Sequence, residues 1–186
     1  MADDDTLTQQ LSQRIAELEE EVRRLSLSDE LTGISNRRGF LVRAEQARLL
    51  VRRRREPSVV LFVDIDGLGR INDGIGREYG DQFLREAADV LTNAFRECDV
   101  VARWGGDEFV AFLPGAINAA PARRRLEERI DRTNRHRPAR PLRISIGSAA
   151  MTPADTRPFV EVIAEAATAM NAERRYQRTS GNAPTP

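Results

Sequence analysis

The sequence predicts a mixed α/β (α+β) domain: a mostly antiparallel sheet wrapped by helices, preceded by an N-terminal coiled-coil helix. Three observations carry that expectation. Ser58-Val-Val-Leu-Phe-Val-Asp-Ile-Asp66 is a nearly continuous apolar run, as a central strand covered on both faces requires. Val101-Ala-Arg-Trp-Gly-Gly-Asp-Glu-Phe-Val-Ala-Phe-Leu113 sets two β-favouring runs around a glycine pair, which signals a tight hairpin. The elements then follow in the order strand, helix, hairpin, helix, strand, helix, which layers helices against one sheet.

Taken along the chain, residues 1–26 carry Leu11, Ile15, Leu18, Val22 and Leu25 in alternating steps of four and three, with Leu7 one turn before. That is a heptad seam, and it predicts a dimerising stalk; a single amphipathic helix packing on its own domain is the alternative. The main domain is expected over 27–178. Asp29 to Phe40 is a turn-rich lead-in, and Asn36-Arg37-Arg38 opens a helix that runs to about Arg54, ended by Pro57. Arg52 to Arg55 is its solvated, dipole-favoured cationic end. Gly67 to Gly76 reads as a glycine-rich loop. Tyr79 to Phe95 reads as a helix with Phe83, Leu84, Ala87, Val90, Leu91 and Phe95 on one face. Pro121 to Arg135 is a charged helix with Leu126 and Ile130 as its apolar face. Leu142 to Gly147 alternates as a strand, Pro158 to Arg178 is the last helix, and 179–186 reads as a disordered tail.

Composition narrows the function. Of 186 residues, 40% are hydrophobic and 31% charged, with a formal net charge of +0, so no global pull toward nucleic acid or an anionic membrane exists. All 29 basic residues are arginine, a bias of composition more than of function. The single cysteine, Cys98, permits no internal disulfide and fits a reducing interior. No apolar run reaches membrane-spanning length, and Met1-Ala-Asp-Asp-Asp5 is the reverse of a signal peptide's basic start. A soluble, cytoplasmic protein is expected.

The chemistry concentrates in two acidic elements. A bare Gly105-Gly106 backbone admits a ligand's phosphates, and Asp107 and Glu108 beside it are hard-oxygen ligands suited to Mg²⁺ or Mn²⁺. Asp64 and Asp66 flank Ile65 at a strand end and share one face. Together they make a constellation for phosphoryl or nucleotidyl transfer. A surface hairpin with a solvated acidic tip is the alternative.

Gly105-Gly106-Asp107-Glu108-Phe109 resembles, letter for letter, the signature of the GGDEF domain, the bacterial diguanylate cyclases. The likeness runs from about Leu27 to Arg178. It includes Asp29-Glu-Leu-Thr-Gly-Ile-Ser-Asn-Arg-Arg-Gly-Phe40, Asp64-Ile-Asp66, Ile71-Asn-Asp73, Gly80-Asp81 and Ile144-Ser-Ile-Gly147. The resemblance implies a palm-like fold similar to that of nucleotide cyclases, and the joining of two GTP molecules into cyclic di-GMP with release of two pyrophosphates. It implies metal binding by Asp64, the Ile65 carbonyl and Asp107, with Asp107 also accepting the proton and Glu108 supporting the site. Asn72 and Asp81 match the guanine-reading residues, and both have the chemistry for it: an amide for O6 or N3, a carboxylate for N1 and N2. A capping turn is the other reading of Asn72-Asp73.

Phosphate grip is where the match departs. The family's Phe-Lys after Asp-Ile-Asp is Leu68-Gly69 here, and its Gly-His-x-x-Gly-Asp is Gly76-Arg-Glu-Tyr-Gly-Asp81, with Arg77 in the histidine's place. The C-terminal phosphate-binding lysine is matched by Arg174 and the following arginine by Arg178. Arg96-Glu-Cys-Asp99 matches the product-binding inhibitory motif, with a helix-terminal salt bridge as its plain alternative. His136 lies in an arginine-rich loop and has no expected role. The implied partners are GTP, cyclic di-GMP and a second copy joined through the N-terminal helix. A catalytically weak domain that binds cyclic di-GMP or GTP as an effector is the competing reading.

Overall fold

The computed structural model describes residues 13–15, 17–18 and 26–179, with side chains as far as 175. Residues 13–15 and 17–18 are helical. The rest of the expected stalk as far as residue 25, and the tail beyond 179, lie outside the described residues.

The strand β1 (Ser58–Ile65) is buried along its whole length except at Asp64, which is half-buried. Its apolar run suits a strand with partners on both edges and helices on both faces. It pairs antiparallel with β3 (Glu108–Pro114) on one side and β4 (Ile144–Met151) on the other. The edge strand β2 (Val100–Gly105) pairs with β3, which gives the order β2-β3-β1-β4 among the described residues.

Alternation along β1 divides the core into two layers. Val59, Leu61, Val63 and Ile65 face α3 (Arg77–Ala94) and α4 (Ala120–Arg135). Val60 and Phe62 face α1 (Arg37–Arg54) and α5 (Phe159–Thr179). On that second face Phe40, Phe112 and Phe159 meet edge to face, with centroids 5.0–5.9 Å apart. Arg48 is buried there too, and donates to the carbonyls of Arg157 at 2.8 Å and Asp155 at 2.7 Å, tying α1 to the entry of α5. Asn36 caps α1 by accepting from the Gly39 N–H at 2.9 Å, as its position before the helix predicts.

One expected loop is a helix. Leu68–Ile75 forms α2 in spite of the glycines at 69 and 74. Leu68 is buried and Ile71 packs on the core, and that burial outweighs the low helix propensity of two glycines. The flanking Gly67 and Gly76, at φ +86 and +115, supply the positive-φ positions that start and stop it. The next helix begins at Arg77, two residues before the expected start. The last strand covers Ile144–Met151, and so extends past Gly147 through small residues that carry little strand signal.

The helix α5 crosses β4 at Gly147. A Cβ there would lie 2.0 Å from the Ala166 carbonyl oxygen and 2.3 Å from the Met170 nitrogen, so the helix approaches as closely as it does only over glycine. Among the described residues no helix is long and apolar enough to cross a membrane. Gly147→Ala forces this layer apart and lowers stability by about 2–3 kcal/mol, read by urea unfolding at neutral pH.

Candidate functional site

The β2–β3 hairpin turns on Gly106 and Asp107, with Gly105 paired to Glu108. Gly106 takes φ +53, whereas Gly105 has an ordinary backbone and continues β2 after an irregularity between Arg103 and Gly105. Thus one glycine of the pair is needed for the turn itself. Arg103 fixes the tip. Its Nε and Nη2 donate to the Gly106 carbonyl at 2.9 and 2.7 Å, and its Nη1 donates to the Asp29 carboxylate at 3.1 Å. Asp29 also accepts from the N–H and hydroxyl of Thr32, at 2.9 and 2.7 Å. Burial pushes the Asp29 carboxyl upward, but the Thr32 bonds and the Arg103 charge outweigh it and hold it below the usual aspartate range. Trp104, next to the tip, lies under the Arg37 guanidinium at 4.4 Å and meets Phe40 edge-on at 6.1 Å.

Register brings the acids together. Asp64 stands directly opposite Glu108, and the Ile65 N–H donates to the Asp107 carbonyl at 3.0 Å. Asp64 continues the face of Val60 and Phe62, and Glu108 that of Val110 and Phe112, so both leave the sheet on the α5 side. From that side Arg174 reaches in: its Nη2 lies 2.5 Å from Asp64 Oδ1 and 2.5 Å from Asp66 Oδ1. Asp66 lies just past the end of β1 and accepts the Ser145 hydroxyl at 3.0 Å.

These carboxylates are crowded. Burial raises the Asp64 carboxyl above its ordinary value; Arg174 opposes this, and the charges of Asp107 and Asp66 add to it. Glu108 is raised by burial, then by Asp64 and Asp107. Burial disfavours the charge on Arg174, but its bonds to Asp66 and Asp64 more than offset that and hold it protonated. Among the described residues no three acidic, histidine or cysteine side chains form a ready-made metal cage. The donors still suit Mg²⁺ or Mn²⁺, because such an ion commonly takes one or two carboxylates and completes its shell with substrate phosphate and water. A cation there relieves the mutual repulsion of Asp64, Asp107 and Glu108.

The opposite layer supplies Asn72 on α2 and Asp81 on α3, both half-buried. Their helices interlock because position 80 has no side chain: a Cβ on Gly80 would lie 1.8 Å from Asn72 Oδ1. Arg77 is exposed at the first residue of α3. Arg178 falls on the last turn of α5, where its side chain lies outside the described residues. At the far end of β2, Asp99 accepts the backbone N–H of Arg96 at 2.8 Å, and Arg125 of α4 approaches it at 3.9 Å. These three residues line a cavity of about 240 Å³ with Leu113, Pro114 and Ile117. Burial raises the Asp99 carboxyl in spite of the Arg96 N–H and the Arg125 charge.

The family model "Diguanylate cyclase, GGDEF domain" matches residues 26–180. The chain belongs to the GGDEF-domain family. It is 40% identical over 113 residues to the diguanylate cyclase DgcP of Pseudomonas aeruginosa, a stretch that covers 60% of this chain and 16% of DgcP. It is 39% identical over 88 residues to the cyclic di-GMP phosphodiesterase NbdA of the same organism, covering 47% of this chain and 11% of NbdA. The crystal structure of the coiled coil and GGDEF domain of DgcB from Caulobacter crescentus, in complex with c-di-GMP, superposes with TM-score 0.70 at 25% identity, covering 94% of this chain and 95% of that one. The chain therefore spans a small part of the length of these two curated relatives.

Within this GGDEF domain, sequence reasoning missed the Asp29–Arg103 tie and the approach of Arg125. Asp29 followed by Thr32 signals a local turn, but nothing local points to an arginine 74 residues on. Asp29 has a depressed folded-state pKa, so its contribution is present above the unfolded value and is lost as pH falls through the folded one. Asp29→Asn accordingly costs about 1–2 kcal/mol at pH 7, and the difference from wild type shrinks below about pH 4. Denaturant unfolding of both proteins across that range measures it.

Proposed function

We propose that this chain is a diguanylate cyclase of the cytoplasm, which joins two GTP molecules into cyclic di-GMP and releases two pyrophosphates. The observation that carries this reading is the β1–β3 register, in which Asp64 stands opposite Glu108 and Ile65 bonds Asp107 beside a glycine-tipped turn. Its family membership and its likeness to DgcP support it.

In this reading Asp64, the Ile65 carbonyl and Asp107 would hold Mg²⁺ or Mn²⁺, which would neutralise triphosphate charge and acidify the attacking hydroxyl. Asp107 accepts the 3′-hydroxyl proton as the bond from O3′ to the α-phosphorus forms and the bond to pyrophosphate breaks. Glu108 supports that carboxylate. The bare backbone of Gly105 and Gly106 lets the phosphates approach, and Arg77, Arg174 and Arg178 supply positive charge around them. Asn72 and Asp81 read the guanine edge. Each domain, over 27–178, takes one GTP, so two must face each other; the helix over 1–26 holds them in a homodimer and raises their effective concentration. The product returns to the cavity at Arg96 and Asp99 and inhibits.

Glycine at position 69 and Arg77 in the histidine's place favour a second reading, an effector domain that binds cyclic di-GMP or GTP without turnover. Incubation with GTP and Mg²⁺, following pyrophosphate and cyclic di-GMP, separates the two. Turnover is expected, and Asp107→Ala reduces it on the order of 1,000-fold. A dimer that binds cyclic di-GMP but releases no pyrophosphate establishes the second reading instead. Gly80→Ala displaces Asn72 and raises KM for GTP about tenfold, with kcat changed by less than about threefold, in steady-state kinetics.

A further inference from the structure

Resting on that reading of the acidic centre, we infer that Arg174 is its resident counter-cation, so that the site accepts a divalent metal as the metal–triphosphate complex and resists the free ion. One guanidinium nitrogen bridges Asp64 and Asp66 at 2.5 Å each, with the three side chains 27%, 13% and 27% exposed. The bridge is built, not incidental. Asp66 is anchored by the Ser145 hydroxyl, at 3.0 and 3.1 Å to its two oxygens, and its N–H donates to the Arg143 carbonyl at 3.0 Å. Arg174 is delivered from the other side by α5, one turn beyond Met170, whose backbone lies against Gly147. Both partners of the bridge are therefore fixed by β4.

A free divalent ion that binds Asp64 has to break the charge-assisted bond to Arg174 and leave the guanidinium beside a second positive charge. A metal–triphosphate complex brings its own acceptors. The guanidinium then moves from carboxylate to phosphate, for which its fork is equally suited, and no charge is left unpaired. Metal and nucleotide binding are consequently coupled through Arg174, and by linkage the coupling is the same in either direction.

The test uses the full chain, Mn²⁺ alone as the probe, and the paramagnetic resonance of unbound Mn²⁺ as the readout, without nucleotide. R174Q is expected to bind Mn²⁺ about tenfold more tightly than wild type, whereas R174K, which keeps the charge, stays within about threefold of it. Mn²⁺ is likewise expected to raise the melting temperature of R174Q more than that of wild type. Equal Mn²⁺ affinities in wild type and R174Q, or in R174K and R174Q, overturn the counter-cation. D64N separates this failure from that of the site itself. If D64N abolishes Mn²⁺ binding while R174Q matches wild type, the metal centre stands and the role of Arg174 falls. If D64N leaves the Mn²⁺ affinity of R174Q unchanged, the acidic centre is misassigned and both readings fall together.

Discussion

Like charges forced into register are the constraint on which this domain depends. Directly opposed acids on paired strands repel, and Asp64 faces Glu108 in an antiparallel ladder with Asp107 one residue away. A surface loop would relax such a contact. Here it cannot relax, because β1 is covered on both faces and paired on both edges, so that a one-residue shift of register moves buried residues to the wrong layer. The apolar core thus supplies the rigidity that holds an unfavourable electrostatic arrangement in place. Nearby contacts answer the same demand. Arg103 pins the turn, Asp29 orients Arg103, and Arg174 offsets part of the negative charge.

What the sequence made legible follows from how locally each feature is determined. The run from Ser58 to Asp66 has the length and β-branched make-up of a central strand, and a glycine pair between two apolar runs signals a hairpin. Asn36 announced a helix start because capping is a matter of three residues. Long-range features were not legible. The α2 helix defies the propensity of its glycines because Leu68 and Ile71 find a core assembled from distant segments. The bond from Arg174 to Asp64, 110 residues away, exists because of where α5 crosses β4. Arg125 reaches Asp99 only because α4 packs alongside α3, which no spacing in the sequence encodes.

The two candidate sites are the two ends of one edge strand. β2 begins beside Asp99 and ends at Gly105, roughly 17 Å apart for a strand of this length. Its outer edge is met by Ser35, which bridges Ala102 and accepts the Arg103 N–H at 2.9 Å, and its inner edge is the ladder to β3 that carries the acids. The cavity at Arg96 and the turn at Gly106 therefore share a backbone, not merely a domain. The irregularity between Arg103 and Gly105 is the one break in that ladder, immediately before the turn.

Trp104 stands at that break, and it is the sole tryptophan of the chain. Its indole carries the Arg37 guanidinium over its ring and meets Phe40 edge to face, one residue before the glycine pair. Tryptophan emission from this protein consequently originates at a single, known place, free of background from other indoles. The molecule carries its own optical reporter at the β2–β3 turn, and needs no label to make movements of that turn visible.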